Sequence, residues 1–167
     1  MTIGTLTRLS IFPLPGALLF PRTRLPLHIF EPRYRALVSD ALARDRRIAM
    51  IQPRGGTGLE GAPPLFAMGC VGKIDHVEAL EDGRYNVILE GLTRFRLIRE
   101  LEVATPFRQI EAELLPVGEP DVLDIATRGA LEQESKRFAD VQGYAVDWES
   151  VARLDDESLV NGIAQIA

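Results

Sequence analysis

One cysteine, two lysines and no long apolar run mark what this 167-residue chain does without. The single Cys70 excludes an internal disulfide and fits a reducing compartment. No stretch approaches the roughly 18 apolar residues of a membrane span. Met1–Ser10 has neither the basic start nor the apolar run of a signal peptide. A cytoplasmic protein with no membrane partner is the expectation. Catalytic signatures are missing as well. There is no Walker phosphate loop, no G-x-S-x-G elbow and no Cys/His metal pattern. Gly56-Thr-Gly-Leu-Glu-Gly61 spells G-x-G-x-x-G, but Ala62-Pro63-Pro64 follows where a helix must start. The residue before a proline is pushed out of helical space, so this reads as a connection, not a nucleotide site. His28 and His76 fall singly within predicted strands, and Cys70 lies in an apolar one. The chain is expected to carry no catalytic residue, no metal and no cofactor.

Charge is unevenly spread over a net of −5. Residues 1–54 hold nine arginines against three acids, +6; residues 55–115 hold six basic groups against ten acids, −4; residues 116–167 hold four against eleven, −7. The arginines of the first third are scattered, without the interleaved aromatics of a nucleic-acid surface.

What is present begins with Phe12-Pro-Leu-Pro-Gly-Ala-Leu-Leu-Phe-Pro21, an apolar loop between two apolar runs. Loops are ordinarily polar, because they lie on the surface. This one is either covered by a neighbour or open to a partner. Alternation predicts strands over 5–12 and 25–30, with a short buried strand at 48–51. Pro32 opens a helix whose apolar stripe is Tyr34, Leu37, Val38, Ala41 and Leu42. Glu31 is placed to accept first-turn N–H groups. Residues 66–77 form a strand interrupted by Gly69 and Gly72, a sign of a bulge or close backbone approach. Asp82-Gly83 is a hairpin turn. Residues 84–102 alternate for longer than a usual strand and should bend at Gly91, leaving one pairing for another. A last strand covers 107–115. Beyond Pro116 the pattern becomes helical: Asp121 is expected to cap a helix closed by Gly143, a short helix covers 147–154, and acids at 155–157 begin another with Leu159, Val160, Ile163 and Ile166 as its stripe. The division predicted is a β unit at 1–116 and a helical segment at 117–167.

Taken in order, four stretches resemble one family. Phe12–Pro21 with Leu25-Pro-Leu-His-Ile-Phe-Glu-Pro-Arg-Tyr34 is similar to the start of the N-terminal domain of ATP-dependent Lon proteases. Gly69-Cys-Val-Gly72 resembles that domain's small-residue strand, Asp82–Gly91 with Arg94-Phe-Arg96 its long bent strand, and Asp156–Ala164 the helical segment behind it. The resemblance implies an α+β fold: a PUA-like pseudo-barrel of about six mostly antiparallel strands with one packed helix, then a C-terminal helical segment. It implies a bacterial-type, non-catalytic module that engages protein substrates. The 167 residues hold no ATPase module and no Ser-Lys peptidase segment, as in the family's stand-alone members; the chain stops inside an apolar helix, as a truncated one would. The residues expected to bind polypeptide are Leu14, Leu18, Leu19 and Phe20, held open by the prolines, with Arg33 beside them for a substrate carboxylate or carbonyl. The partner is then an unfolded or a specific polypeptide. Two alternatives remain at this stage: an RNA-binding PUA-like domain, and an adaptor for one protein partner.

Overall fold

The computed structural model describes residues 5–55, 62–116 and 122–166. Two compact units result, Met1–Val117 and Gly118–Ala167. The Gly56–Gly61 motif and Asp121 lie outside the described residues.

The first unit contains β1 (Thr5–Pro13), β2 (Arg24–Ile29), α1 (Pro32–Leu42), β3 (Arg47–Pro53), β4 (Leu65–Ala79), β5 (Tyr85–Glu100) and β6 (Gln109–Leu114). The strand order is β2-β5-β4-β3-β1-β6, and β6 also pairs with β5. That extra pairing closes β5-β4-β3-β1-β6 into a ring and leaves β2 outside it. Among the described residues only β1 and β3 run parallel, with Ile11 opposite Ala49. A parallel pair needs a crossover, and residues 14–46, with the apolar loop, β2 and α1, supply it.

Side-chain alternation gives the ring strands two apolar faces. Leu9, Ile11, Ala49, Ile51, Val71, Phe95, Ile110 and Ala112 form one cluster, drawn from the ring strands alone. Phe12, Ile48, Met50 and Ile74 belong to a second, with Leu27 and Ile29 of β2 and Tyr34, Leu37, Val38 and Ala41 of α1. The first fills the ring; the second lies under the helix. Tyr34 stacks on Phe12 with ring centroids 4.0 Å apart. Glu31 stands at the N-cap but makes no side-chain cap bond. Its main-chain carbonyl accepts from the amides of Tyr34 and Arg35, while its carboxylate meets Arg33.

β5 exchanges partners where the glycine predicted it. It pairs with β2 from Tyr85 to Glu90 and with β6 from Phe95 onward. Between these, Val71 faces Thr93 while Gly72 faces Gly91, so Leu92 is an extra residue in the ladder with β4. A bulge of this kind bends the strand that carries it.

The second unit contains α2 (Ile125–Gln142), α3 (Trp148–Ala152) and α4 (Asp156–Ile166). Asp124 caps α2 by accepting from the Thr127 amide, and Gly143 closes it in the left-handed region at φ 75°. Arg128 joins Glu132 of its own helix to Asp156 at the start of α4, at 2.9 and 2.7 Å. Trp148 lines an apolar cleft with Phe138, Tyr144, Leu159, Ile163 and Ile166. Val160 departs from the predicted stripe and is exposed. No helix among the described residues is long and apolar enough to cross a membrane.

Candidate functional site: a groove beside the proline-rich loop

The segment from Leu14 to Thr23 has no strand or helix of its own, yet it is tied down along its length. Gln52, next to the end of β3, does much of this. Its Nε2 donates to the carbonyls of Leu14 at 3.0 Å and Ala17 at 2.7 Å. Its Oε1 accepts from the Gly16 amide at 2.9 Å. At the far end the Thr23 hydroxyl donates to the Phe20 carbonyl at 2.8 Å. Gly91 then takes the loop as a strand would: its amide donates to Thr23 O at 2.8 Å and its carbonyl accepts from the Arg22 amide at 2.9 Å. The approach is so close that a Cβ on Gly91 would collide with the Phe20 carbonyl. Leu19 rests over Gly72, where a Cβ would lie 2.8 Å from its Cδ2.

The apolar loop is therefore a fixed wall, which answers the choice between covered and open with some of each. Leu19 is buried, 7% exposed, within the cluster under α1, and Leu14 packs against that cluster from its edge. Leu19 is therefore core, in correction of the expectation that it presents an open surface, while Leu14 is half-buried. Leu18 and Phe20 are half-buried. They line a groove of about 160 Å³ with Ala17, Gln52, Met68, Gly69, Cys70 and Arg94. Phe66 and Met68, two residues apart on β4 and on the face of Cys70, extend its apolar wall; they are 52% and 39% exposed.

Arg33 is not among the residues that line this groove. Its guanidinium is held locally, 3.1 Å from Glu31 and 4.6 Å over the Tyr34 ring. The cation at the groove is Arg94, opposite Cys70 in the β4–β5 ladder, with Arg96 opposite Met68 next along. Cross-strand partners share a face, so both guanidiniums project on the side of Met68. Gln52 and Met68 escaped sequence reasoning. Gln52 carried one available signal, a lone polar side chain closing the apolar run Ile48–Ile51 before Pro53.

Cys70 sits in the floor. Burial pushes its thiol up to about 12, so at neutral pH it is a small apolar side chain and not a nucleophile. Among the described residues no group of His, Cys, Asp and Glu is placed to hold a metal ion. The groove is also small. Sites for drug-sized ligands begin near roughly 300 Å³, whereas this one has the dimensions of a single large side chain. It can accept an apolar side chain from an extended segment, with a guanidinium at its edge.

Because Gln52 makes three bonds to the loop, its loss should act on the loop before the ring. Gln52→Ala is expected to cost about 2 kcal/mol and to speed amide hydrogen exchange selectively over residues 14–23. Exchange that rises uniformly over the ring strands would show that Gln52 does not anchor the loop.

Comparison with known proteins agrees with this architecture. A family model described as the ATP-dependent protease La (LON) substrate-binding domain matches residues 8–164. Lon protease of Anaeromyxobacter dehalogenans is 28% identical over 132 residues, 78% of this chain and 15% of that protein. Lon protease 2 of Myxococcus xanthus is 32% identical over 97 residues, 58% of this chain and 12% of that protein. The chain thus spans only a small fraction of these relatives' length. The Lon N-terminal domain protein from Xanthomonas campestris superposes with a TM-score of 0.60 at 27% identity, over 78% of this chain and 72% of that one. The N-terminal domain of Mycobacterium avium complex Lon protease gives 0.62 at 19% identity, over 93% and 81%, a likeness of fold alone. With nearly its whole length matched, this chain belongs to the LON substrate-binding domain family.

Proposed function

We propose that the chain is a non-catalytic polypeptide-binding module that takes an apolar side chain of an extended or unfolded segment into the groove between Leu18–Phe20 and Met68. The observation that carries this reading is the pinned loop. Its backbone bonds to Gln52 and Gly91 hold apolar side chains half-open against an exposed apolar strip of β4. A fixed, partly exposed apolar surface binds at little ordering cost.

The test is the affinity for a fluorescein-labelled unfolded protein such as β-casein, read by anisotropy. Met68→Ser removes one wall and leaves the core intact. It is expected to weaken binding about tenfold with Tm unchanged within about 1 °C. Equal binding by the variant and the parent protein would remove the groove from consideration.

A further inference from the structure

We infer that this groove reads a carboxylate immediately beside the apolar side chain it accepts, through Arg94 and, next to it, Arg96. The inference rests on the polypeptide-binding reading above and specifies the segment bound.

The ladder fixes the geometry. Arg94 faces Cys70 and Arg96 faces Met68, so both are on the face that carries the groove. Two residues apart on a strand, their Cα atoms are separated by roughly 7 Å. Phe95 between them is fully buried inside the ring and holds this part of β5 in place. Both arginines are exposed, and Arg94 itself lines the groove.

Their lack of partners is the second observation. Several guanidiniums of this unit meet acids, among them Arg24 with Asp75, Arg84 with Asp82 and Arg108 with Glu100, whereas among the described residues Arg35, Arg46, Arg47 and Arg54 do not; what sets Arg94 and Arg96 apart is that both stand on the groove face. Further along β5, Arg99 pairs with Glu111 of β6. Arg96 stands opposite Glu113 in that same ladder, yet neither it nor Arg94 forms an ion pair with an acid among the described residues. Two adjacent like charges repel one another, and a carboxylate between them removes that cost. The guanidinium fork also matches a carboxylate in a bidentate way. A ligand that pairs an apolar side chain with a carboxylate fits both halves of the groove. It is an extended segment whose apolar residue either ends the chain or is followed by an acidic residue.

Three fluorescein-labelled peptides separate these possibilities. Each has a Gly-Ser spacer and the sequence Leu-Val-Leu; one ends in a free carboxylate, one in a carboxamide, and one continues to Asp carboxamide. At least one carboxylate-bearing peptide is expected to bind about tenfold tighter than the plain carboxamide. A gain by the free terminus alone assigns the α-carboxylate; a gain by both admits a side-chain carboxylate too. Arg94→Gln should abolish the gain and leave the carboxamide's affinity unchanged, whereas Arg33→Gln should leave the gain intact. Equal affinities for all three peptides, or a gain that survives in the Arg94→Gln/Arg96→Gln double variant, overturns the inference while leaving the apolar groove standing. It is also overturned if no peptide binds although labelled β-casein does. Failure of both the peptides and β-casein to bind overturns the polypeptide reading itself.

Discussion

Gly91→Ala is expected to destabilise the first unit by about 3 kcal/mol, lowering Tm by roughly 10 °C. The added Cβ meets main chain and not a side chain that could turn aside. It would collide with the Phe20 carbonyl oxygen, and it would approach the Phe20 carbonyl carbon to 2.7 Å and Pro21 Cα to 3.3 Å. Relief requires lifting the loop. That breaks the two bonds through which Gly91 holds Thr23 and Arg22, and it unseats Leu19 from Gly72. A lifted loop also opens the groove wall, so polypeptide affinity should fall below what the unfolded fraction alone explains. Gly72→Ala provides the contrast: its Cβ would first meet Leu19 Cδ2, the end of a flexible side chain. Thermal unfolding by circular dichroism decides the matter. A Gly91→Ala protein melting within about 2 °C of the parent would show that the loop does not press on this residue.

The ring and its helix were legible because the strands have apolar residues in a core, on both faces in β1 and β3. Ile11 and Phe12, or Ala49 and Met50, are neighbours that serve different clusters, and such segments read as unbroken apolar runs. The bend at Gly91 was legible for a different reason. A side-chain-free residue inside a long alternating strand weakens it unless something approaches closely. The sequence could not say what approaches, because the Phe20 main chain is more than seventy residues away along the chain. The cap of α2 went to Asp124, three residues beyond the expected Asp121. Either aspartate satisfies the local rule, and cap chemistry alone does not choose between them.

Half of the candidate site was legible. Composition pointed to the apolar loop, and Leu18 and Phe20 do line the groove. The burial of Leu19 depends on Gly72 and on the residues under α1, contacts that adjacent residues cannot reveal. Arg33 was drawn into the site by its position one residue before Tyr34. A carboxylate two residues earlier and the Tyr34 ring hold it instead. Gln52 and Met68 reach the groove only through the register of β3 and β4, where Ile51 pairs with Gly69. Shifting that register by one residue would turn Met68 to the opposite face.

Phe95→Ala is expected to have the largest effect of any single truncation in the ring. Phe95 heads the set of fully buried large side chains, at 0% exposure. Its ring occupies the space that Gly69 leaves: a Cβ on Gly69 would lie 2.5 Å from Phe95 Cζ. Truncation removes the apolar contacts of the ring and leaves a cavity beside a residue with no side chain to fill it. The cost of such a change is about 3–5 kcal/mol. Phe95→Leu retains most of the volume and should cost about 1 kcal/mol. The functional consequence follows from Arg94 and Arg96 on either side. Their guanidiniums are fixed relative to Met68 and Cys70 only while β5 keeps its register with β4. Well below its melting temperature the Phe95→Ala protein should retain affinity for apolar segments and lose part of its preference for a neighbouring carboxylate. Parallel melting curves and peptide titrations on the two variants measure both effects. A Phe95→Ala protein that melts no lower than Phe95→Leu would show that the ring interior collapses around the missing side chain, and that Phe95 is not what holds this strand in place.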